Sequence, residues 1–220
     1  MGLKVIITGA SGMVGEGVAK QCIESRSVDR VLLIGRRSAG IKHPKVSEII
    51  LHDMFHPEAI ESEMAGYDAC FFCLGVSSVG MDEQEFSHIT FDLTINFARV
   101  LKKASADITF CYVSGSGTDG SGKGRVMWAR VKGKTEQALQ QIFSKSYMFR
   151  PGYMQPDKGA RNSLKFYRYL SWMYPLLRLA FPRFVCSLAE LGQAMLACTL
   201  KGFNKRVLSV RDIVRQAAAL

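Results

Sequence analysis

Three glycines recur at every third position near the start of the chain, at Gly9, Gly12 and Gly15. The apolar run Leu3–Ile7 precedes them, and a helix-like stretch follows as far as Ile23. Glycines with this spacing between a strand and a helix allow a tight turn, a close backbone approach to a pyrophosphate and close packing of helix on strand. Phosphates would lie at the helix N-terminus, where free N–H groups and the helix dipole favour negative charge. The pattern predicts a dinucleotide site, and the alternative is an ordinary strand–turn–helix corner.

Two arginines follow the second apolar run, because Val31–Ile34 leads into Gly35, Arg36 and Arg37. Domains that prefer NAD usually carry an acidic residue here, which bonds the ribose 2′-OH, whereas an arginine accommodates a 2′-phosphate. A guanidinium group is well suited to phosphate. We therefore predict NADP (NADPH) as the cofactor, and the alternative is a pair of solvated surface arginines.

The elements that must position these residues are read from apolar runs that alternate with helical stretches. Strands are predicted at 3–8, 30–34, 46–51, 68–74, 108–113 and 146–149. Helices are predicted at 12–25, 57–64, 82–104, 125–143, 160–180, 188–200 and 211–219. This alternation is typical of an α/β fold with a doubly wound parallel sheet of the Rossmann type. The loop 115–124 contains five glycines and follows a strand, so it is predicted to be soft and to close over a substrate, or else to be a plain surface loop.

Length and composition favour a single globular domain over residues 1–220. A chain of 220 residues can bury one sizeable core. Its 48% hydrophobic and 22% charged residues are ordinary for a soluble protein. No cleavable signal is expected, because the first residues lead directly into a strand-like run. The apolar stretch 164–184 is interrupted by Lys, Arg and Pro, which makes it a poor transmembrane helix.

The cysteines do not suggest a metal site. Cys70 and Cys73 have the C-x-x-C spacing, but residues three apart in a strand face opposite sides. No second cysteine pair or histidine cluster completes a zinc site. We expect the six cysteines to be small buried apolar side chains in a reducing cytoplasm.

Charge is distributed unevenly along the chain. Residues 1–110 carry 11 Lys/Arg and 14 Asp/Glu, a net charge of −3, whereas residues 111–220 carry 18 and 5, a net charge of +13. The C-terminal half would attract an anionic partner, which leaves open cofactor phosphates, an acidic substrate, anionic lipid, nucleic acid or simply a solvated basic face. Residues 160–184 are aromatic and basic with no acid, and a packed cap or dimer face is favoured there over peripheral membrane contact. No recognition motif supports nucleic acid.

The order of the motifs resembles the short-chain dehydrogenase/reductase superfamily, in its NAD(P)-binding epimerase/dehydratase-like branch. Within that branch it is similar to the Tat-interacting-protein-like oxidoreductases. The markers extend along the whole chain and comprise Thr8–Gly15, Gly35–Arg37, Asp53, Cys73–Gly75, Tyr112–Ser114, Val131–Gly133 and Arg150–Tyr153. The resemblance implies a small helical C-terminal cap, to which residues 151–220 contribute on the substrate side. It also implies an NADP(H)-dependent oxidoreductase or epimerase-like enzyme that acts on a small carbonyl or alcohol substrate, as a monomer or homodimer.

The superfamily uses a Ser, a Tyr and a Lys, with the Tyr and Lys four residues apart on one helix face. The resemblance assigns catalytic roles to Ser114, which would orient the substrate oxygen, and Lys132, which would hold the nicotinamide ribose. The Tyr position holds Trp128, whose indole N–H donates a hydrogen bond but is no acid near neutral pH. Three alternatives stay open: Tyr153 or water carries the proton, the substrate needs little acid help, or the protein binds NADP(H) without turnover as a regulatory or assembly protein.

The resemblance also implies which residues border the cofactor. Asp53 would accept from the adenine amino group, and the alternative is a loop aspartate that satisfies local N–H groups. The full set of cofactor-binding residues is Gly9, Ser11, Gly12, Met13, Val14, Gly15, Arg36, Arg37, Asp53, Leu74, Gly75, Val76, Lys132, Pro151, Gly152 and Tyr153.

Overall fold

A seven-stranded sheet forms the centre of the fold. The computed structural model describes residues 2–156 and 174–220. The strands of this sheet are β1 (Leu3–Thr8), β2 (Val28–Gly35), β3 (Val46–Ile50), β4 (Ala69–Phe72), β5 (Thr109–Val113), β6 (Ser146–Phe149) and β9 (Val207–Leu208). Their order across the sheet is β3-β2-β1-β4-β5-β6-β9, and all neighbouring strands are parallel. The order reverses beside β1, and ligands of such sheets bind at the carboxyl ends of the strands at this point.

Helices connect the strands, and a second, two-stranded parallel sheet lies apart from the first. The α-helices are α1 (Met13–Glu24), α2 (Glu83–Ser87), α3 (Leu93–Ala104), α4 (Met127–Ile142), α5 (Tyr174–Ala180), α6 (Leu188–Lys201) and α7 (Val210–Ala217). The small sheet consists of β7 (Tyr153–Gln155) and β8 (Val185–Ser187). Two short 3-10 helices occupy Pro57–Ile60 and Ser62–Met64, and a π-helical turn at His88–Asp92 joins α2 to α3.

The central sheet buries apolar side chains on both of its faces. Along β1, Val5 and Ile7 belong to one core cluster, which also contains residues of α1, α6 and α7. Ile6, between them, belongs to a second cluster, which contains residues of α3 and α4. Side chains alternate across a strand, so the two clusters are the two faces of one sheet. The predicted doubly wound Rossmann-type fold is confirmed.

All six predicted strands are present, with boundaries within two residues of the prediction, and 3–8 and 146–149 match fully. Strands β7, β8 and β9 were not predicted, since two or three residues are too few for an alternating pattern to be recognised. The predicted helix 57–64 is wrong in type, because two 3-10 helices occupy it. The predicted helix 160–180 falls partly on residues outside the described ranges, and its last seven residues form α5.

The described part of residues 151–220 divides into two regions. Helices α6 and α7 cover one face of the central sheet, and β9 extends its edge beside β6. Only β7, β8 and α5 remain apart from the central sheet, as a cap on the substrate side would. Within residues 2–156 and 174–220, no helix has the length and apolar character needed to cross a lipid bilayer.

Candidate functional site

The turn after β1 brings backbone atoms into close contact. Gly9 has a φ of +72°, in the region that favours glycine, and a β-carbon there would lie 2.8 Å from the Leu74 backbone nitrogen. A β-carbon at Gly15 would lie 2.3 Å from the carbonyl oxygen of Gly9. The first and third glycines of the motif are therefore required by packing within the protein itself.

The second glycine begins the helix without a side-chain cap. Gly12 is the N-cap residue of α1, and its amide donates to the Gly9 carbonyl at 2.9 Å. The nearest atom to a β-carbon at Gly12 would be 3.4 Å away, so steric packing is less demanding here. The first-turn N–H groups of α1 lack a side-chain partner at this cap and can bind an anionic group.

A cavity of about 480 Å³ opens at the carboxyl ends of β1, β2 and β4. It collects seven of the predicted cofactor-binding residues and two neighbours. The lining residues are Gly9, Ser11, Gly12, Gly35, Arg36, Arg37, Cys73, Leu74 and Gly75. The structure therefore brings the glycine turn, the two arginines and the end of β4 to one place, where the strand order reverses.

Both arginines stand exposed at this cavity, directly after β2. Within the described residues, neither Arg36 nor Arg37 has an acidic partner at salt-bridge distance. The turn that follows them is fixed by Glu48 of β3, which accepts from the Ser38 hydroxyl at 2.6 Å and from the Ala39 amide at 2.7 Å. Two cations without neutralising neighbours give the cavity a positive potential that suits phosphate.

Gly75 supplies an independent test of whether a ligand fits. A β-carbon built on Gly75 meets no protein atom within 4 Å, although the residue lines the cavity. Packing within the protein therefore does not require a glycine at position 75, and a larger residue there would occupy part of the cavity. The adjacent Leu74 amide is held by the Thr8 hydroxyl oxygen at 3.3 Å, which fixes the backbone beside the cavity. These features fit a dinucleotide lying against the ends of β1 and β4.

The two predicted catalytic residues are in contact with each other. The Lys132 ammonium donates to the main-chain carbonyl oxygen of Ser114 at 2.7 Å. Burial lowers the Lys132 pKa from its ordinary value, and the negative charge of Glu136 partly opposes that shift. Lys132 thus connects α4 to the end of β5.

The Ser114 side chain is directed to a buried carboxylate. Its hydroxyl donates to Glu136 at 2.6 Å, and its oxygen lies 3.1 Å from the carbonyl oxygen of Phe149. Glu136 is 2% exposed and also accepts from the Arg150 guanidinium at 2.5 and 3.0 Å. The Ser114 hydroxyl therefore donates its hydrogen bond within the protein, whereas the resemblance assigned this hydroxyl the role of orienting a substrate oxygen.

Glu136 and Arg150 contact the Ser114 region but were not predicted from the sequence as members of the site. Glu136 follows Lys132 by four residues on α4, a spacing that places the two on one helix face. An acidic residue there, with an arginine directly after the strand β6, was the available signal. What the sequence did not reveal is that the acid is buried and accepts a hydrogen bond from the Ser114 hydroxyl.

Trp128 packs beneath the glycine-rich loop 115–124. A β-carbon at Gly117 would lie 3.4 Å from the Trp128 ring, and one at Gly115 would lie 4.0 Å from it. Trp128 lies one turn before Lys132 on α4, the sequence position that the resemblance assigns to the Tyr. Nothing in this geometry converts its N–H group into a proton donor at neutral pH.

The glycine-rich loop 115–124 has hydrogen bonds and packing contacts of its own. The Asp119 carboxylate accepts from the backbone amides of Ser121 at 2.9 Å and Gly124 at 2.5 Å. The Ser121 hydroxyl also donates to this carboxylate, at 2.7 Å. That bond has the largest effect, and together with the amide bonds it lowers the Asp119 pKa to about 2. A β-carbon at Gly133 would lie only 1.7 Å from the Asp119 carbonyl oxygen, so α4 packs directly on the loop. The loop is therefore held by its own aspartate and by α4.

The remaining predicted residues do not line the cavity. Asp53 is exposed, and its carboxylate accepts from the Phe55 amide at 2.8 Å, which is the local role named above as the alternative. The Tyr153 hydroxyl donates to Gln155 at 3.3 Å. Met13 and Val14 lie in the first turn of α1. Val76 follows β4, and Pro151 and Gly152 follow β6.

The cysteines have the environment that their apolar runs predicted. Five are buried and Cys73 is half-buried, and none forms a disulfide. Burial raises the Cys73 pKa to about 12, which keeps the thiol protonated. Among the described residues, no group of three or more His, Cys, Asp or Glu side chains is arranged to hold a metal ion.

Comparison with known proteins identifies related sequences. A family model described as NAD(P)H-binding matches residues 9–163. Protein HTATIP2 of Rattus norvegicus is 27% identical over 157 residues, which are 70% of this chain and 64% of that protein. Protein FMP52, mitochondrial, of Meyerozyma guilliermondii is 22% identical over 162 residues, which are 73% of this chain and 68% of that protein. The match thus spans slightly less than two thirds of the rat relative's length, and the resemblance inferred from the motifs is confirmed.

Solved structures share the architecture at low sequence identity. ADP-L-glycero-D-manno-heptose-6-epimerase of Helicobacter pylori has a TM-score of 0.68 at 16% identity, over 99% of this chain and 82% of that one. The enzyme WbmG of Bordetella bronchiseptica, solved in complex with NAD, has a TM-score of 0.68 at 11% identity, over 100% of this chain and 78% of that one. At these identities the likeness shows the fold.

Proposed function

Because the chain belongs to the NAD(P)H-binding family, we propose that it is an NADP(H)-dependent oxidoreductase that acts on a carbonyl or alcohol substrate. The observation that carries the proposal is the cavity in which Gly9, Gly12, Arg36, Arg37 and Gly75 meet. The cavity combines a helix N-terminus that can bind the pyrophosphate, glycines that allow the ligand to approach the backbone closely, and two cations.

The preference for the phosphorylated cofactor rests on Arg36 and Arg37. Neither guanidinium is neutralised within the described residues, and no Asp or Glu lines the cavity to bond a ribose 2′-OH. The related structure of WbmG holds NAD, so the preference is proposed for this chain on its own residues. A 2′-phosphate beside two guanidinium groups would form charge-assisted hydrogen bonds.

The bound cofactor would supply or accept a hydride. The Lys132 ammonium, which is fixed by the Ser114 carbonyl, would bind the ribose hydroxyls. Trp128 can donate a hydrogen bond to the substrate oxygen but has no proton to give up near neutral pH. When a carbonyl is reduced, its oxygen would therefore take a proton from water, unless the Tyr153 hydroxyl is released from Gln155.

We also propose the compartment and the partners of the protein. Buried thiols without disulfides suit a reducing compartment, and we propose the cytoplasm. We expect a small-molecule substrate, no nucleic acid partner, and a monomer or homodimer.

A second candidate function is NADP(H) binding without turnover, as a regulatory or assembly protein. Two observations favour it. Trp128 replaces the proton carrier of the superfamily, and the Ser114 hydroxyl is bonded to Glu136 rather than free for a substrate.

One experiment addresses both candidates. Calorimetric titration of the purified chain with NADPH and NADH should show tighter binding of NADPH. NADPH consumption is then measured with a panel of aldehydes and ketones. Binding together with consumption supports the oxidoreductase, and binding without consumption supports the second candidate. Absence of heat from both nucleotides would overturn the two proposals together.

A further inference from the structure

An exposed apolar surface lies on α5 and the segment after it. Leu176 is 63% exposed, Leu179 is 82%, Phe181 is 55% and Phe184 is 57%. Nine large apolar side chains are exposed in the described parts of the chain, and four of the nine fall within residues 176–184. We refer to these four side chains as the 176–184 surface. Such a concentration of apolar side chains marks an interaction site rather than ordinary surface variation.

The orientation of α5 is fixed by its opposite side. The Arg178 guanidinium binds Glu190 of α6 at 2.5 and 2.9 Å and the Tyr174 hydroxyl at 2.7 Å. Successive residues of a helix are rotated by about 100°, so Leu176 and Leu179 lie opposite the side that carries Tyr174 and Arg178. The ion pair therefore holds one side of α5 to the protein and leaves the leucines facing outward.

The 176–184 surface lies at the carboxyl edge of the central sheet. The Phe184 carbonyl accepts from the Tyr153 amide at 2.8 Å. A β-carbon at Gly152, two residues beyond Arg150, would lie 2.2 Å from the same oxygen. Residues 150–153 directly follow β6, so the apolar surface stands on the same edge as the cofactor cavity.

The stretch of sequence that contains this surface is basic. From residue 158 to residue 189 the sequence contains six Lys/Arg and no Asp or Glu. Arg183 lies between Phe181 and Phe184 and is exposed, with no acidic partner at salt-bridge distance in the described residues. The positive charge of Arg178, by contrast, is neutralised by Glu190.

We propose that the 176–184 surface binds the anionic surface of a lipid membrane. The leucines and phenylalanines would enter the boundary between headgroups and acyl chains, while Arg183 would contact lipid phosphates. A nucleic acid would use the cations but would leave the outward-facing leucines without a role. A symmetric contact between two copies of the 176–184 surface would bring two Arg183 side chains together with no acidic residue from 176–184 between them, which is electrostatically unfavourable. Contact with an anionic membrane would involve both the exposed apolar side chains and Arg183.

Flotation of the full chain with lipid vesicles tests the proposal. One set of vesicles contains phosphatidylcholine mixed with phosphatidylserine, and the other contains phosphatidylcholine alone. We expect the chain to float with the anionic vesicles, to float poorly with the neutral ones, and to be released as salt is raised. Absence of the chain from the anionic vesicle fraction would overturn the proposal, whether or not the chain retains RNA or forms dimers in separate assays.

Variants locate the contact on the surface. The double change Leu176→Ser with Leu179→Ser should weaken binding at least about tenfold, since two apolar side chains no longer enter the membrane. Arg183→Ala should weaken it about fivefold, as expected for one basic residue near an anionic surface. The matched control is Leu200→Ser, at an exposed leucine of α6, which should bind like the parent. Unaltered flotation of the double variant would refute the assignment.

Folding is checked in the same samples. Each variant should keep the melting temperature and the NADPH titration of the parent, because Leu176 and Leu179 are exposed and lie outside the cofactor cavity. This readout also separates the two proposals, since membrane binding and NADPH binding can fail independently.

Discussion

The Lys132 ammonium donates a hydrogen bond to the main-chain carbonyl oxygen of Ser114, at 2.7 Å. The same serine uses its hydroxyl to bind Glu136, one helical turn beyond Lys132. Both ends of this contact are therefore fixed by the protein before any ligand binds. As a result, Lys132 is held at the end of β5, and the Ser114 hydroxyl is already bonded to Glu136.

Removing either arginine at the cavity should weaken NADPH more than NADH. Arg36→Ala and Arg37→Ala each remove a cation that lines the cavity and has no acidic partner within the described residues. We expect NADPH affinity to fall about tenfold, which is typical for one charge-assisted hydrogen bond, and NADH affinity to change little. Calorimetry with both nucleotides measures the ratio. Arg26→Ala, at an exposed arginine between α1 and β2, serves as the control, and an unchanged ratio in Arg36→Ala and Arg37→Ala would contradict the proposed cofactor preference.

Two glycine variants should separate cofactor binding from folding. Gly75→Val places its β-carbon where no protein atom lies within 4 Å and extends its side chain at the cavity, so we expect the chain to fold normally and to lose NADPH binding at least about tenfold. Gly15→Ala places a β-carbon 2.3 Å from the Gly9 carbonyl oxygen and should instead destabilise the fold by about 1–3 kcal/mol. Thermal unfolding and NADPH titration of both variants provide the comparison. Normal NADPH binding by Gly75→Val would place the dinucleotide elsewhere.

Glu136→Gln should destabilise the protein by about 2–3 kcal/mol, because it leaves the Arg150 guanidinium and the Ser114 hydroxyl facing an uncharged amide in a buried site. It should also lower the Lys132 pKa further, since the neighbouring negative charge is lost. Urea unfolding measures the first effect. Glu83→Gln is the matched control, as its partner Arg130 is also held at 2.5 Å but the carboxylate is 46% exposed, and we expect a change of about 0–1 kcal/mol there. Equal effects of the two substitutions would argue against a special role for the buried pair.

Trp128→Tyr restores the Tyr-x-x-x-Lys arrangement on α4. If the parent is an oxidoreductase that takes its proton from water, the variant should turn over roughly a hundredfold faster, the lower range for a positioned general acid. Trp128→Phe keeps an aromatic ring without a hydroxyl and should show no gain. Steady-state NADPH consumption distinguishes the three proteins. Turnover in Trp128→Tyr with none at all in the parent would favour the non-catalytic candidate.

The glycine-rich loop should become less stable in acid. The folded-state pKa of Asp119, about 2, lies below its ordinary value of 3.8. A lowered pKa stabilises the fold above the unfolded value, and this contribution is lost as pH falls from about 4 toward 2. We therefore expect Asp119→Asn to melt below the parent at pH 7 and the difference to shrink across that window. A difference that is independent of pH would show that the carboxylate charge does not hold the loop.

Much of the fold was predictable because it depends on local patterns. Gly9 and Gly15 were identified from spacing alone; Gly15 is a glycine because of the Gly9 carbonyl six residues earlier, and Gly9 because of its positive φ and the backbone at Leu74. The Ser114 hydroxyl was not predictable in the same way, since its partner Glu136 lies 22 residues away and the direction of the hydroxyl depends on how α4 packs against β5. Asp53 was assigned to the cofactor by resemblance, whereas its carboxylate bonds an amide two residues later.

The close packing of Gly133 on the Asp119 carbonyl oxygen couples the position of α4 to the glycine-rich loop. A β-carbon at position 133 would lie 1.7 Å from that oxygen, so a larger residue would force the helix and the loop apart. Because Lys132 is the preceding residue of the same helix and donates to the Ser114 carbonyl, such a displacement would also disturb the contact between α4 and the end of β5.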